Sequence, residues 1–184
     1  MKWMLVAVAA ARLWAADDPA KIMRPADRSV VAPGAIDIVA TAPGARLELD
    51  GKPVSAEQPF PNIWHAKAQV AAGPHTLALI WEGGRKEVRL FAGAGAPADF
   101  RPFHIHPPGG DTACTQCHEL SARGRFRFKN MACFDCHDRK PFVAVHSHEI
   151  TTLTECGMCH NAHGSTVKAN LLYPKEQACK LCHN

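Results

Sequence analysis

Residues 156–183 read CGMCHNAHGSTVKANLLYPKEQACKLCH. Two Cys-X-X-Cys-His units stand in this stretch, Cys156/Cys159/His160 and Cys179/Cys182/His183, and His163 follows the first of them by three residues. Upstream lie two more units, CTQCH at 114–118 and CFDCH at 133–137. The chain has eight cysteines, none before residue 114, and the four units use all of them. Eight cysteines in an exported chain ordinarily suggest four disulfides, but a disulfide framework has no reason to place a histidine after every second cysteine. A zinc ribbon draws four ligands from two pairs and leaves the histidines surplus. Covalent haem attachment needs this order. On a short helical turn, positions i, i+3 and i+4 share a face, so two thiols bond the two porphyrin vinyl groups while the adjacent imidazole takes one axial site on the iron. The pattern predicts four covalently attached haem c groups, held by Cys114, Cys117, Cys133, Cys136, Cys156, Cys159, Cys179 and Cys182. His118, His137, His160 and His183 are the expected proximal ligands.

Each iron has a second axial site, and histidine or methionine there makes an electron carrier, whereas an open site makes a candidate catalyst. Of 11 histidines, seven are not part of a unit, and five of those lie near the units: His104, His106, His146, His148 and His163. Methionine competes poorly, since Met158 lies inside a unit, Met131 two residues before one, and Met23 is remote. All-histidine ligation is therefore expected, with low potentials relative to Met/His haems. One of the five candidates is surplus by count. His163 stands so close to His160 that it falls on the wrong side of that porphyrin, so it must reach a neighbouring haem if it ligates at all. A shift of 42 residues lays His104/His106 on His146/His148 and Cys114/Cys117/His118 on Cys156/Cys159/His160. The next step, Cys133 to Cys179, is 46, which marks a duplicated two-haem unit rather than a long repeat array.

The run from His148 through CGMCHNAHGS and LLYPKEQACKLCH resembles the doubled Cys-X-X-Cys-His family of multihaem cytochromes. That resemblance implies distal ligands at the histidine eight residues before the first cysteine and at the one in the Cys-His-X-X-His-Gly segment. His148 and His163 match those places, and His106 matches the first in the earlier half. Ser121 stands where the earlier partner of His163 would be, so that half takes its missing ligand elsewhere, from His104 or His146. The similarity covers roughly residues 104–184.

Residues 29–92 contain no cysteine and alternate as strands do: 36–39, 46–49, 75–80, 87–91 and about 64–70. Turn signals separate them at Pro43-Gly44, Asp50-Gly51, Gly73-Pro74 and Gly83-Gly84, the last fitting a tight hairpin. The stretches ARLELDGKPVSAEQPFPN (45–62) and AAGPHTLALIWEGGRKEVRLF (71–91) resemble the PEGA-type surface β-sandwich, which implies a docking module. His65 and His75, inside it, read as ordinary strand histidines. The expected fold is thus a small all-β (Ig/PEGA-like) sandwich over 29–92, a linker over 93–99 and, over 100–184, a mostly irregular multihaem domain with short helices. Its core would be packed with haem, because roughly 80 residues shared by four porphyrins leave little else to bury. In Arg123-Gly-Arg125-Phe-Arg127-Phe-Lys129 the arginines suit haem propionates and the phenylalanines porphyrin faces, with a solvated basic loop as the plain alternative.

Residues 1–16 read as a secretory signal peptide: Lys2, an apolar run, then small residues before Asp17-Asp18. No other segment approaches the roughly 20 apolar residues of a membrane span, so the protein is expected to be exported to the periplasm or cell surface and not to span a membrane. The formal charge of +4 falls to 19 basic against 17 acidic residues once Lys2 and Arg12 leave with the leader, and acidic propionates lower it further. Nucleic acid is not an expected partner. Redox proteins are: other multihaem cytochromes or an envelope electron-transfer complex. Only Asn184 follows His183, so an exposed edge is expected for the last haem. These readings converge on a non-enzymatic tetrahaem electron carrier. The alternatives are a multihaem reductase of a small oxyanion, which needs an open iron, and protomers stacked haem to haem in a filament.

Overall fold

The computed structural model describes residues 20–107, 113–129, 132–138 and 156–180. The expected leader and the expected ligands His146, His148, Cys182 and His183 lie outside them. Nine strands build a two-sheet sandwich: β1 (Lys21–Arg24), β2 (Ser29–Val31), β3 (Gly34–Thr41), β4 (Arg46–Leu49), β5 (Lys52–Val54), β6 (Glu57–Phe60), β7 (Ile63–Val70), β8 (Gly73–Trp81) and β9 (Gly84–Ala92). One sheet runs β1-β3-β7-β6. The other runs β2-β9-β8-β4-β5 and gains a sixth strand, β10 (Arg101–Pro102), beside β2.

The long strands follow their alternation. Ile36, Ile38 and Ala40 of β3 point inward, against Leu77 and Leu79 of β8 and Leu90 of β9. Each fully buried aliphatic side chain contributes about 1.5–3 kcal/mol of hydrophobic stabilisation. Turn chemistry sets the registers. Asp50 and Gly51 both have positive φ (52° and 74°) and join Leu49 to its partner Lys52, a two-residue turn whose twist suits a hairpin. The Asp50 carboxylate then accepts from the Thr76 N–H at 2.8 Å and from His75 Nδ1 at 2.7 Å, which ties that turn to β8.

The sandwich reaches beyond residues 29–92 at both ends. β1 pairs antiparallel with β3, and β10 pairs parallel with β2. The segment between 93 and 99 is fastened as well: the Gly93 N–H donates to the Val31 carbonyl at 2.9 Å, and Asp99 meets Arg28 at 3.5 Å. The expected linker is thus tied by a main-chain bond at its first residue and a side-chain ion pair at its last.

Past β10 the described residues are mostly irregular. Two small ladders occur among them. β11 (His104–Ile105) pairs with a strand at Gly164–Ser165, and β12 (His118–Leu120) pairs with β13 (Phe126–Phe128). The Gly164–Ser165 strand is β14. Short helical turns cover Cys114–Cys117 (α1), Ala132–Asp135, Cys156–Met158, Lys168–Asn170 and Lys175–Cys179 (α2). Among the described residues no helix is long and apolar enough to cross a membrane.

Candidate haem-binding site

Each Cys-X-X-Cys-His unit within the described residues folds into one shape. The N–H of the unit's histidine donates to the carbonyl of its first cysteine: His118 to Cys114, His137 to Cys133 at 2.9 Å, and His160 to Cys156 at 2.9 Å. That single turn brings both sulfurs and the imidazole of a unit into one neighbourhood. None of the seven described cysteines is in a disulfide. Burial raises the pKa of Cys114 and Cys117, and it pushes Cys133 up to about 11 with help from neighbouring Cys156. These sulfurs are therefore protonated thiols at neutral pH rather than metal-seeking thiolates.

The imidazoles come together in two pairs. His118 and His163 have ring centres 5.9 Å apart with planes inclined by 4°. His106 and His137 repeat the arrangement at 5.9 Å and 15°. A metal–imidazole bond is about 2 Å long and the ring centre lies roughly 1 Å behind the nitrogen, so two imidazoles on opposite sides of one metal have centres roughly 6 Å apart. Both pairs meet that spacing.

The other ring nitrogens suit the same role. His106 Nδ1–H donates to the Ala162 carbonyl at 3.1 Å, and His160 Nδ1–H to the Ala169 carbonyl at 2.9 Å. Carbonyls only accept, so Nδ1 carries a proton in both rings, and the neutral tautomer this bond selects leaves Nε2 bare, the form a metal takes. Burial lowers the pKa of His118, and burial followed by the charge of Arg24 brings His163 down to about 4. Both rings are neutral at pH 7, as ligands must be. His118 Nδ1 is buried with no hydrogen-bond partner. Its ring lies nearly flat on Phe126 at 4.6 Å and edge-on to Phe128 at 5.5 Å. The phenylalanines expected to serve porphyrin faces thus flank the imidazole of the first Cys-X-X-Cys-His unit, and Phe126 also meets Phe60 of the sandwich at 5.0 Å.

The short segment 160–163 gathers three of these positions: the His160 ring, the Ala162 carbonyl that orients His106, and the His163 ring that faces His118. His104 lies exposed on β11 and is not brought against another described imidazole. Cys179 ends α2, the described part of the last unit. Among the described residues no three His, Cys, Asp or Glu side chains converge as a bare metal ion requires. A pair of imidazoles at this spacing would supply two ligands, and a porphyrin would supply the remaining four of an octahedral iron. The residues fit the group.

The doubled CXXCH motif family matches residues 148–184. Such motifs carry covalently bound haem c, so this part of the chain bears a c-type cytochrome-like, haem-binding motif. No curated protein sequence matches the chain. Among solved structures, an FMN-binding β-glucuronidase from Faecalibacterium prausnitzii L2-6 is 18% identical with a TM-score of 0.37, over 46% of this chain and 13% of that one. The fibronectin(III)-like modules of Clostridium thermocellum CbhA are 20% identical with a TM-score of 0.33, over 40% of this chain and 94% of that one. Likenesses this slight say nothing of function.

One contributor to the site has no signal in the motif pattern. Arg24 of β1 is only 5% exposed. Its guanidinium pairs with Asp37, donates from Nε to the His163 carbonyl at 2.7 Å, and donates from a terminal nitrogen to the His106 carbonyl. Asp37 also accepts from His65 Nε2 at 2.7 Å, and His65 Nδ1 meets Glu57 at 2.6 Å. For His65, burial works to lower the pKa, but the bonds to Glu57 and then Asp37 outweigh it and the net shift is upward. The stability from this raised pKa is complete below the ordinary histidine value of about 6.5 and is lost as pH rises through the folded value. Thermal melts of the haem-loaded chain above pH 6 should therefore show wild type losing its margin over His65→Gln as pH rises. A margin independent of pH means the ion pairs contribute nothing.

Proposed function

We propose that this protein is a tetrahaem c-type cytochrome whose irons are all closed by two histidines and which passes single electrons between redox partners. The observation that carries the reading is the double occurrence of near-parallel imidazole pairs with ring centres 5.9 Å apart, each containing the histidine of a Cys-X-X-Cys-His turn. Bound haem supplies reversible one-electron iron chemistry. The chain's own part is attachment and enclosure. Cys114/Cys117, Cys133/Cys136, Cys156/Cys159 and Cys179/Cys182 hold the four groups, with His118, His137, His160 and His183 proximal. His163 closes the first site opposite His118, and His106 the second opposite His137. His104, His146 and His148 are the candidates for the other two. With an imidazole on either side, no position is left for a substrate, and paired histidines favour low potentials. Segment 160–163 serves three sites at once, which keeps those sites in one cluster.

The same proposal includes export by residues 1–16, work in the periplasm or at the cell surface, and redox proteins as partners. The sandwich is taken as PEGA-like. The test is mass spectrometry with low-temperature EPR on the oxidised protein. Expected are four haems per chain and low-spin signals accounting for four irons. Near-parallel imidazole planes give rhombic spectra, so rhombic signals should come from two of them. An apoprotein mass would end the reading. A substantial high-spin signal would mean an open iron, the condition for a reductase of a small oxyanion.

A further inference from the structure

The guanidinium of Arg24 is placed oddly for a sandwich residue. It sits on β1, shielded from solvent, and one of its three partners, Asp37, belongs to the same sheet. The other two are main-chain carbonyls 82 and 139 residues further on, those of His106 and His163. These are the two histidines that face His137 and His118. A buried guanidinium offers five donors in a rigid planar fork. An ordinary core ion pair would spend them inside the sandwich. Here the fork points out of it, at the backbone of two separate segments.

Those segments have other supports beside the guanidinium that holds both carbonyls. The stretch around His106 is held by the two-residue ladder of β11 with β14, by the ring bond of His106 to Ala162 and by the Phe103 N–H to the Val30 carbonyl. The stretch around His163 has the far side of that ladder, the bond from its own N–H to Asn161 Oδ1 at 3.0 Å, and main-chain bonds from Gly164 to Asn161 and from Asn161 to Asn170. A carbonyl fixed in space fixes the Cα beside it, and the Cα sets where the imidazole starts. Holding both carbonyls on one rigid fork sets the spacing of the two rings' origins.

We propose that Arg24 is a positioning residue shared by two haem sites, its single guanidinium anchoring the distal histidines of the first and second irons so that the two fail together. This rests on the bis-histidine reading above. It also changes what the sandwich is for. The domain supplies the fixed point from which both distal ligands are hung, and Asp37 balances the charge of Arg24 beside them.

Arg24→Gln in the full, haem-loaded chain is the test. All cysteines remain, so four haems should still be attached. Spin-quantified EPR is expected to show two of the four irons leaving the low-spin state together, and reduced protein should bind carbon monoxide at two haems where wild type binds none. Leu79→Ala is the comparison, because it opens a cavity in the sandwich core without touching Arg24. It should lower the melting temperature and leave the spin state unchanged. If Leu79→Ala also converts two irons, the effect is general weakening of the sandwich and the inference falls. It falls equally if Arg24→Gln alters one iron, alters all four, or leaves spectrum and potentials as in wild type.

Should Arg24→Gln fail to mature, Asp37→Asn keeps the guanidinium and its carbonyl bonds but removes the neighbouring negative charge. Two midpoint potentials are then expected to rise together, since extra positive charge favours the reduced iron, while the other two stay. Unchanged potentials overturn the inference. Failure of the bis-histidine reading itself looks different: wild type would already show high-spin iron or fewer than four haems.

Discussion

His163→Ala should open the iron proposed for Cys114 and Cys117, not the one proposed for Cys156 and Cys159, whose unit ends at His160 three residues upstream. The expected spectrum has about one iron in four high-spin, with carbon monoxide binding at one haem of the reduced protein. The reason is geometric. His160 turns its Nδ1 to the Ala169 carbonyl in the separate turn Lys168–Asn170, while the His163 ring lies 5.9 Å from that of His118 and parallel to it within 4°. Removing the first haem separates the two assignments. In a chain already carrying Cys114→Ser and Cys117→Ser, the further change His163→Ala should add no carbon monoxide binding. If instead the binding disappears only when Cys156 and Cys159 are replaced, His163 serves the third iron and the proposed pairing is wrong.

Gly164→Ala should be nearly as damaging, although it touches no ligand atom. Gly164 has φ of +110°, a conformation that side chains rarely adopt, and a Cβ built there falls 2.6 Å from the His104 carbonyl oxygen and 2.7 Å from the Phe103 ring. The carbonyl is backbone of the paired strand β11 and cannot swing aside as a flexible side chain would. Backbone strain of about 1–3 kcal/mol and overpacking of similar size together suggest a loss of roughly 2–5 kcal/mol. The ladder carries His104–Ile105 on one side and begins one residue after His163 on the other, so relieving the clash should also shift the backbone beside His106 and His163. Denaturant unfolding of the haem-loaded protein, followed with the spin state, is the measurement. Gly44→Ala is the contrast, since φ there is +52° and nothing lies within 4 Å of the added Cβ. A cost of about 1 kcal/mol is expected at that position. Equal costs at the two glycines would show that the close approach at Gly164 is unimportant.

Much of this arrangement can be read from residue order, because the signals are local. A thiol pair with its histidine occupies five consecutive positions, and one turn suffices to bring them together. The long strands β3, β7, β8 and β9 likewise advertise themselves by alternation over eight or nine residues. What stays hidden is whatever depends on distant partners. β1, β2, β5 and β6 have three or four residues each, too few for a period to show, and they are strands because a neighbour completes their hydrogen bonds. His106 and His163 stand out as ligand candidates by position, but which proximal imidazole each faces depends on how residues 104–107 and 161–165 meet across β11 and β14. Arg24 is the extreme case. In the sequence it is one arginine before a proline, and only folding brings Asp37, His106 and His163 to it.

The parallel pairing of β10 with β2 bears on modularity. A sandwich of this kind looks like a portable part, to be cut at the glycines near residue 93 and spliced to another cargo. Yet β10 lies beyond that cut and covers the outer edge of β2, whose main-chain groups would otherwise be open to any passing strand. A severed sandwich would carry a raw edge prone to self-association. The remainder, for its part, would leave behind the arginine that holds two of its histidines. Anyone grafting either half onto a new host should therefore move the boundary past Pro102 and keep β1, since the two regions share their joinery.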